Sequence, residues 1–326
     1  MDRISIHPDV AQALKSGRPI VALETAVITS GLPRTPLASI DGLDLPGWRL
    51  DQPVNLELGR ALHRIVRDAG AAPAMIAVLH GVLCIGLDED QFTRLAADAR
   101  AGKASVNDLA AAMSSGASAG TTVSATLAAS TLATSPANRV RVFATGGIGG
   151  VHRGWQSTPD ISADLRTLAE TPICVVCSGA KSILDVPATL EALETLGVPV
   201  VGFRTESFPR FQSPGSDELK LRHCVESVAG AAQICDLHWK TLGRSTGIIL
   251  ANPVPQEHAM DAAELDAAIN RAENLASKRG ITGPARTPFL LDQLAQLTHG
   301  RSLRANLALL INNARLAGEL AVQLTL

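Results

Sequence analysis

The sequence predicts an α/β fold, a sheet covered by helices, on three observations. Short apolar runs alternate with helix-period patterns over most of the chain. Strand, helix and strand follow one another at Pro172–Ser178, Pro187–Leu196 and Pro199–Phe203, the order of a βαβ unit. The 326 residues are 46% hydrophobic and only 18% charged, which suits a largely buried architecture.

Each element has its own signal. RPIVALETAVI (Arg18–Ile28) begins as a strand. In Val54–Ala69, Val54, Leu58, Leu62, Ile65 and Val66 share one helical face, and Gly70 stands as the stop. Met75–Leu79 and Val82–Leu87 flank His80-Gly81, a hairpin signal. A helix from about Glu89 to Ala99, a short strand near Lys103–Val106 and a small-residue helix from about Thr121 follow. The strand Val140–Ala144 enters the glycine-rich loop Thr145–Gly154. Asp261–Lys278, Thr287–Leu297 and Leu303–Leu324 make the last quarter helical. Thr35–Pro53, with prolines at 36, 46 and 53, reads as an inserted surface loop, and Arg210–Glu218 as a flap.

Composition excludes several functions. Lys plus Arg is 29 against 31 Asp plus Glu, and no basic run tracks a nucleic-acid backbone. With no tyrosine, phenol chemistry is impossible. No apolar stretch approaches the ~18 residues of a membrane helix. The N-terminal MDRISIHPDV lacks a secretory apolar segment, and the five cysteines are an odd number. Together these predict a reduced, cytoplasmic protein. Cys174 and Cys177, spaced to opposite faces of a strand, read as core residues rather than a redox or zinc pair.

Candidate chemistry concentrates in FATGGIGGVHRGWQSTPDISADL (Phe143–Leu165). Its glycines permit the positive φ angles of an anion nest, so the loop is either a phosphate site or a tight structural turn. Asp160, Ser162 and Asp164 are either a helix start with acidic first-turn residues or donors for a hard divalent ion such as Mg²⁺ or Mn²⁺. Lys181 follows a buried strand, where ligand sites of α/β sheets concentrate. It is either solvated or, if desolvated, less basic and nucleophilic toward carbonyl carbon. Glu24 sits in an apolar strand and needs a partner or a raised pKa, which makes it a candidate general acid or base. Lys103 and Gly120-Thr121-Thr122-Val123 carry weaker signals, an exposed cation and a helix N-cap.

VALET, GTTVSAT, VFATGGIGGVHRG, DISADL, VVCSGAKSILDVPATLE, LGVPV, ANPVP, TPFLL and NNARLA, in this order, closely resemble the pseudouridine-5′-phosphate glycosidases, also called the indigoidine synthase A-like family. The matches run from about Pro19 to Val322. The resemblance implies one αβα domain over residues 1–326 with an insertion at about 35–53, a mostly parallel or mixed sheet, and a homotrimer. It implies reversible cleavage of pseudouridine 5′-phosphate to uracil and ribose 5-phosphate. Lys181 would form a Schiff base with C1′ of the ring-opened sugar, and Glu24 would handle the proton. Asp160 would serve Mn²⁺, and Lys103, Val123, Ser162, Ala163 and Asp164 would contact substrate.

Departures accompany the matches. Where the family has Glu-Ser-Thr-Ile-Ile-Ser-His-Gly-Met-Pro, this chain has Glu24-Thr-Ala-Val-Ile-Thr-Ser30-Gly-Leu-Pro, and the insertion with Trp48 follows. His80-Gly81 replaces Asp-Gly, Val106-Asn107 replaces two arginines, and Thr205–Arg222 matches poorly. These changes leave the implied sugar residues intact. They keep two other functions in view: a C-glycosynthase joining ribose 5-phosphate to a non-uracil acceptor, and a non-catalytic sugar-phosphate binder. Trp48 and Trp155 are candidate walls for a flat acceptor ring.

Overall fold

A computed structural model describes residues 3–37, 39, 43, 47–135, 138–157, 159–281, 283 and 286–325. Its strands are β1 (Ile4–Ile6), β2 (Ile20–Leu23), β3 (Ala72–Leu79), β4 (Val82–Ile85), β5 (Gly102–Ala104), β6 (Ala119–Thr121), β7 (Val142–Ala144), β8 (Cys174–Cys177), β9 (Val200–Phe203), β10 (Cys224–Val225) and β11 (Ile248–Ala251). Its helices are α1 (Pro8–Ser16), α2 (Val54–Asp68), α3 (Glu89–Ala97), α4 (Leu109–Ser115), α5 (Val123–Ser130), α6 (Ala163–Glu170), α7 (Val186–Thr195), α8 (Val228–Asp236), α9 (Ala262–Lys278), α10 (Arg286–Leu297) and α11 (Arg301–Gln323).

The strands join one mixed sheet in the order β1-β4-β3-β2-β7-β8-β11-β9-β10, with β6 on β3 and β5 on β6. From β3 through β2, β7, β8, β11 and β9 to β10 every neighbour is parallel. The central strands β2, β8 and β11 are buried at every residue, as a sheet covered on both faces requires. β4 and β6 run antiparallel to β3. The predicted hairpin forms at β3–β4, where His80 (φ 48°) and Gly81 (φ 79°) both take the left-handed conformation that a two-residue turn needs. The predicted βαβ unit is β8–α7–β9, with β11 inserted between its strands.

Helix α11 packs on α2 and α8 and lies across β7 and β8. Among its buried residues Asn306 and Asn313 break the apolar stripe. Among the described residues no helix is long and apolar enough to cross a membrane. All five cysteines are free; Cys174 and Cys177 lie in the core as expected, and burial pushes the Cys177 thiol up to about 12.

One loop differs from expectation. Arg210–Glu218 is no loose flap: Phe211, Gln212 and Ser213 are buried, and Arg210 bridges to Gly179. The segment packs because Gly179 (φ 69°) has no side chain; a Cβ there would lie 1.9 Å from the Pro209 carbonyl oxygen. Of the insertion, residues 38, 40–42 and 44–46 lie outside the described residues. Its end is anchored, since Trp48 packs against the core and Arg49 binds the buried Glu57 carboxylate through its backbone N–H (3.1 Å) and Nη2 (3.1 Å).

Candidate active site

Three adjacent parallel strands, β2, β7 and β8, end at one edge of the sheet, and their following loops build a cleft. Such an edge is where backbone direction reverses and side chains from separate loops converge. Glu24 comes directly after β2, Gly146 and Gly147 after β7, and Lys181 four residues after β8. Lys103 reaches in from the exposed strand β5. With its mouth, the cleft encloses about 570 Å³.

Glu24 and Lys103 are both perturbed in it. Burial pushes the Glu24 carboxyl above the ordinary 4.5, against the opposing pull of Lys181, the Thr145 hydroxyl and Lys103. Thr145 Oγ1 donates to Glu24 Oε1. Thr145 is itself fixed from behind, its carbonyl accepting from Asn313 Nδ2 at 2.8 Å. Burial, and next the charge of Lys181, depress the Lys103 ammonium. Two amines and one carboxyl share this space, and two cations against one acid suit an anionic ligand.

The glycine loop has a different purpose from an anion nest. Gly146, Gly147, Gly149 and Gly150 do not adopt positive φ; of the loop's glycines only Gly154 does. They are glycines because there is no room: a Cβ would stand 2.8 Å from Phe211 at Gly147, 2.4 Å from Ser162 Oγ at Gly149 and 2.4 Å from Thr189 Oγ1 at Gly150. The N–H groups of Ile148, Gly149 and Val151 donate to Gly179 O, Asp164 Oδ2 and Thr189 Oγ1 at 3.0, 2.8 and 3.0 Å. The anion received at Gly149 is therefore the protein's own Asp164 carboxylate, and the structural-turn reading applies. The Lys181 N–H donates to Ile148 O (3.1 Å), so this loop also sets the Lys181 backbone.

Among the predicted site residues, the cleft wall brings together Glu24, Lys103 and Lys181. Val123 is buried as the first residue of α5, below Thr122, which does line the cleft. Asp164 is buried, its other oxygen accepting from Ser124 N at 2.9 Å. Ser162 caps α6, accepting from Asp164 N at 3.2 Å, and Ala163 opens that helix. Neither Trp48 nor Trp155 is among the lining residues.

Asp160 stands outside the cleft wall, half exposed, with His152 Nδ1 3.9 Å from its Oδ2. Among the described residues no cluster of three or more His, Cys, Asp or Glu is placed to chelate a metal. A single open carboxylate is still a donor of the kind a hard divalent ion takes when it keeps most of its waters.

Sequence reading missed the cleft's far wall: Phe211, Thr287, Pro288, Leu291, Asn306 and Leu310. Asn306 is 7% exposed and its Oδ1 has no hydrogen-bond partner. Its signal was present: Leu303, Asn306 and Leu310 fall on one helical face, and an amide on a buried stripe needs a partner.

The chain is similar to known proteins over nearly its whole length. The family described as Indigoidine synthase A like protein matches residues 48–323. A pseudouridine-5′-phosphate glycosidase of Caldanaerobacter subterraneus subsp. tengcongensis is 46% identical over 321 residues, covering 98% of this chain and 96% of that protein. One of Sorangium cellulosum is 45% identical over 325 residues, covering 99% and 94%. Among solved structures, the prealnumycin C-glycosynthase AlnA in complex with ribulose 5-phosphate superposes with a TM-score of 0.82 at 34% identity, covering 99% of this chain and 97% of its own. An indigoidine synthase A-like protein of Thermotoga maritima gives 0.81, also at 34% identity and with the same coverage. The chain belongs to the indigoidine synthase A-like family.

Proposed function

We propose that this protein is a pseudouridine-5′-phosphate glycosidase that reversibly splits the C–C bond between C1′ of ribose 5-phosphate and uracil. The observation that carries the reading is the convergence of Lys181, Lys103 and Glu24, whose pKa desolvation raises, in one cleft of a chain similar throughout to such enzymes. A C-glycoside has no leaving oxygen, so paired-carboxylate glycosidase chemistry does not apply. An amine supplies the alternative electron sink. In the cleavage direction Lys181 Nζ bonds to C1′ as the C1′–O4′ bond breaks, and the proton the amine gives up ends on O4′ of the opened sugar. Glu24 delivers its proton to the base carbon, which keeps the C–C electron pair as the bond breaks. The nitrogen lone pair then forms the C=N bond, and water releases ribose 5-phosphate and the free amine.

The remaining groups have roles that fit their positions. Lys103 offsets the substrate's negative charge. The unpartnered Asn306 Oδ1 would accept an N–H of the base, and Phe211, Pro288 and Leu291 give that ring an apolar wall. Val123, Ser162, Ala163 and Asp164 act as substrate contacts or as the frame that sets them. Asp160 would hold Mn²⁺ or another divalent ion, which supplies charge neutralisation at the phosphate when bound. The working assembly is a homotrimer, and five free cysteines suit a reducing cytoplasm.

Borohydride reduction in the presence of ribose 5-phosphate tests the central claim. It should add one sugar phosphate to the wild-type protein and none to Lys181→Ala; equal labelling of both overturns the Schiff-base assignment. Similarity to a C-glycosynthase favours a second reading, in which the same iminium is attacked by a non-uracil acceptor. Intact labelling with no uracil released from pseudouridine 5′-phosphate would select it. Loss of labelling altogether would leave a sugar-phosphate binder.

A further inference from the structure

Two cavities open at the opposite edge of the sheet, where β2 and β3 begin, each enclosing about 770 Å³ with its mouth. They share His7, Asp9, His63, Arg67 and Leu87, and so form one two-lobed space. The first lobe adds Arg18 from the turn before β2. His63 and Arg67 stand four residues apart on α2 and project from the same face.

Among the described residues no ion pair engages Arg18 or Arg67, and His63 makes no hydrogen bond to protein. His7 Nδ1 accepts from Asp9 N at 3.2 Å, which leaves its Nε2 as the donor. The backbone at this edge is already satisfied, Ala71 N–H on Val66 O and Ala72 N–H on Pro19 O. The second lobe is walled by the buried Met75, Leu87 and Phe92. Of its acidic neighbours, Glu89 pairs with Arg60 and Asp88 caps α3 by accepting from Gln91 N. Asp9, which lines both lobes, leaves one carboxylate against the two guanidinium groups and the two imidazoles.

We propose that this two-lobed cavity binds a phosphorylated small molecule, with its phosphate between Arg18, Arg67 and His63 and its organic part against Phe92, Met75 and Leu87. Guanidinium groups present several donors in a fixed fork that matches phosphate oxygens. Burial, and next the Arg67 charge, hold His63 below its usual pKa, so its imidazole carries a proton more readily once an anion arrives. The site lies at the opposite ends of the strands from Lys181 and stands apart from the reading of the cleft.

The test uses the full chain with isotope-labelled histidine, whose His63 ring signals are assigned by His63→Gln. Inorganic phosphate should shift those signals saturably, and phenyl phosphate should do so at lower concentration. Arg67→Gln and Arg18→Gln should each weaken the response at least tenfold with the circular dichroism spectrum unchanged; should one variant fail to fold, the other carries the comparison. Lys103→Ala should leave the His63 response intact. A shift that never saturates, one that survives both arginine changes, or one that disappears with Lys103→Ala overturns the proposal. Equal affinity for the two probes overturns the assignment of the second lobe. Failure of sugar-phosphate labelling at Lys181 would leave this test untouched.

Discussion

Asp164→Asn asks whether the glycine loop is held by the protein's own carboxylate. Asp164 is 4% exposed and accepts two backbone hydrogen bonds, from Ser124 N at 2.9 Å and from Gly149 N at 2.8 Å. Each such charge-assisted bond contributes roughly 1.5–3 kcal/mol. Asparagine retains one acceptor oxygen, and its amide turns donors toward the second N–H, which stays buried and unpaired at a further cost of roughly 1–3 kcal/mol. Partial relaxation of the loop brings the expected loss to about 3 kcal/mol, a factor on the order of a hundred in the folding equilibrium. Urea unfolding followed by circular dichroism measures it, and amide hydrogen exchange at Gly149 and Ser124 localises it. A loss under about 1 kcal/mol with both amides as protected as in the wild type would refute the reasoning. A substrate contact alone would instead lower kcat/KM and leave stability intact.

Three further outcomes follow from the same contacts. Glu24→Gln should lower turnover on the order of a hundredfold or more if Glu24 moves the proton. Because burial raises the Glu24 pKa above 4.5, the native state keeps a proton that the unfolded chain has lost, and stability falls as pH rises through the raised value. The variant should therefore gain on the wild type between pH 5 and 7.5 in urea midpoints; an equal difference at both values contradicts the shift. Glu57→Gln should cost about 2–3 kcal/mol and expose residues 47–53 to proteolysis, because it removes a buried charge shared by Arg60 and Arg49. Burial works to raise the Glu57 pKa, but hydrogen bonds from Arg60 and Arg49 outweigh it, so the contribution is lost as pH falls through the lowered value. Gly179→Ala should cost more than about 3 kcal/mol, since the side chain meets the Pro209 carbonyl at a positive φ; an unchanged urea midpoint would show that the turn adapts.

Local rules made most of the sheet legible. Buried parallel strands announce themselves as continuous apolar runs, and β8, β9 and the hairpin at His80-Gly81 were readable for that reason. Among the elements that escaped, β1 has three residues, α4 buries none and β10 has two, but the buried central strand β11 and the helices α1 and α8 escaped as well. Glu24 and Lys181 were legible because a charge in or beside an apolar strand needs an explanation wherever the chain folds. Phe211, Pro288 and Asn306 were not, because each becomes part of the site only through contacts between segments distant in the chain.

The glycine loop shows most clearly how one local pattern admits two physical causes. A run of glycines after a strand means either that the backbone must turn through positive φ or that something must come close. Sequence cannot separate these, since both delete the same Cβ. Here the close neighbours are Phe211, Ser162, Asp164 and Thr189, contributed by three separate segments. Phe211 belongs to the stretch read as a loose flap, and Asp164 to the one read as a substrate contact. The loop, the Arg210–Glu218 segment and the start of α6 thus form one packed unit beside Lys181. A change in any of them should reach the amine through the Ile148 carbonyl that fixes its backbone.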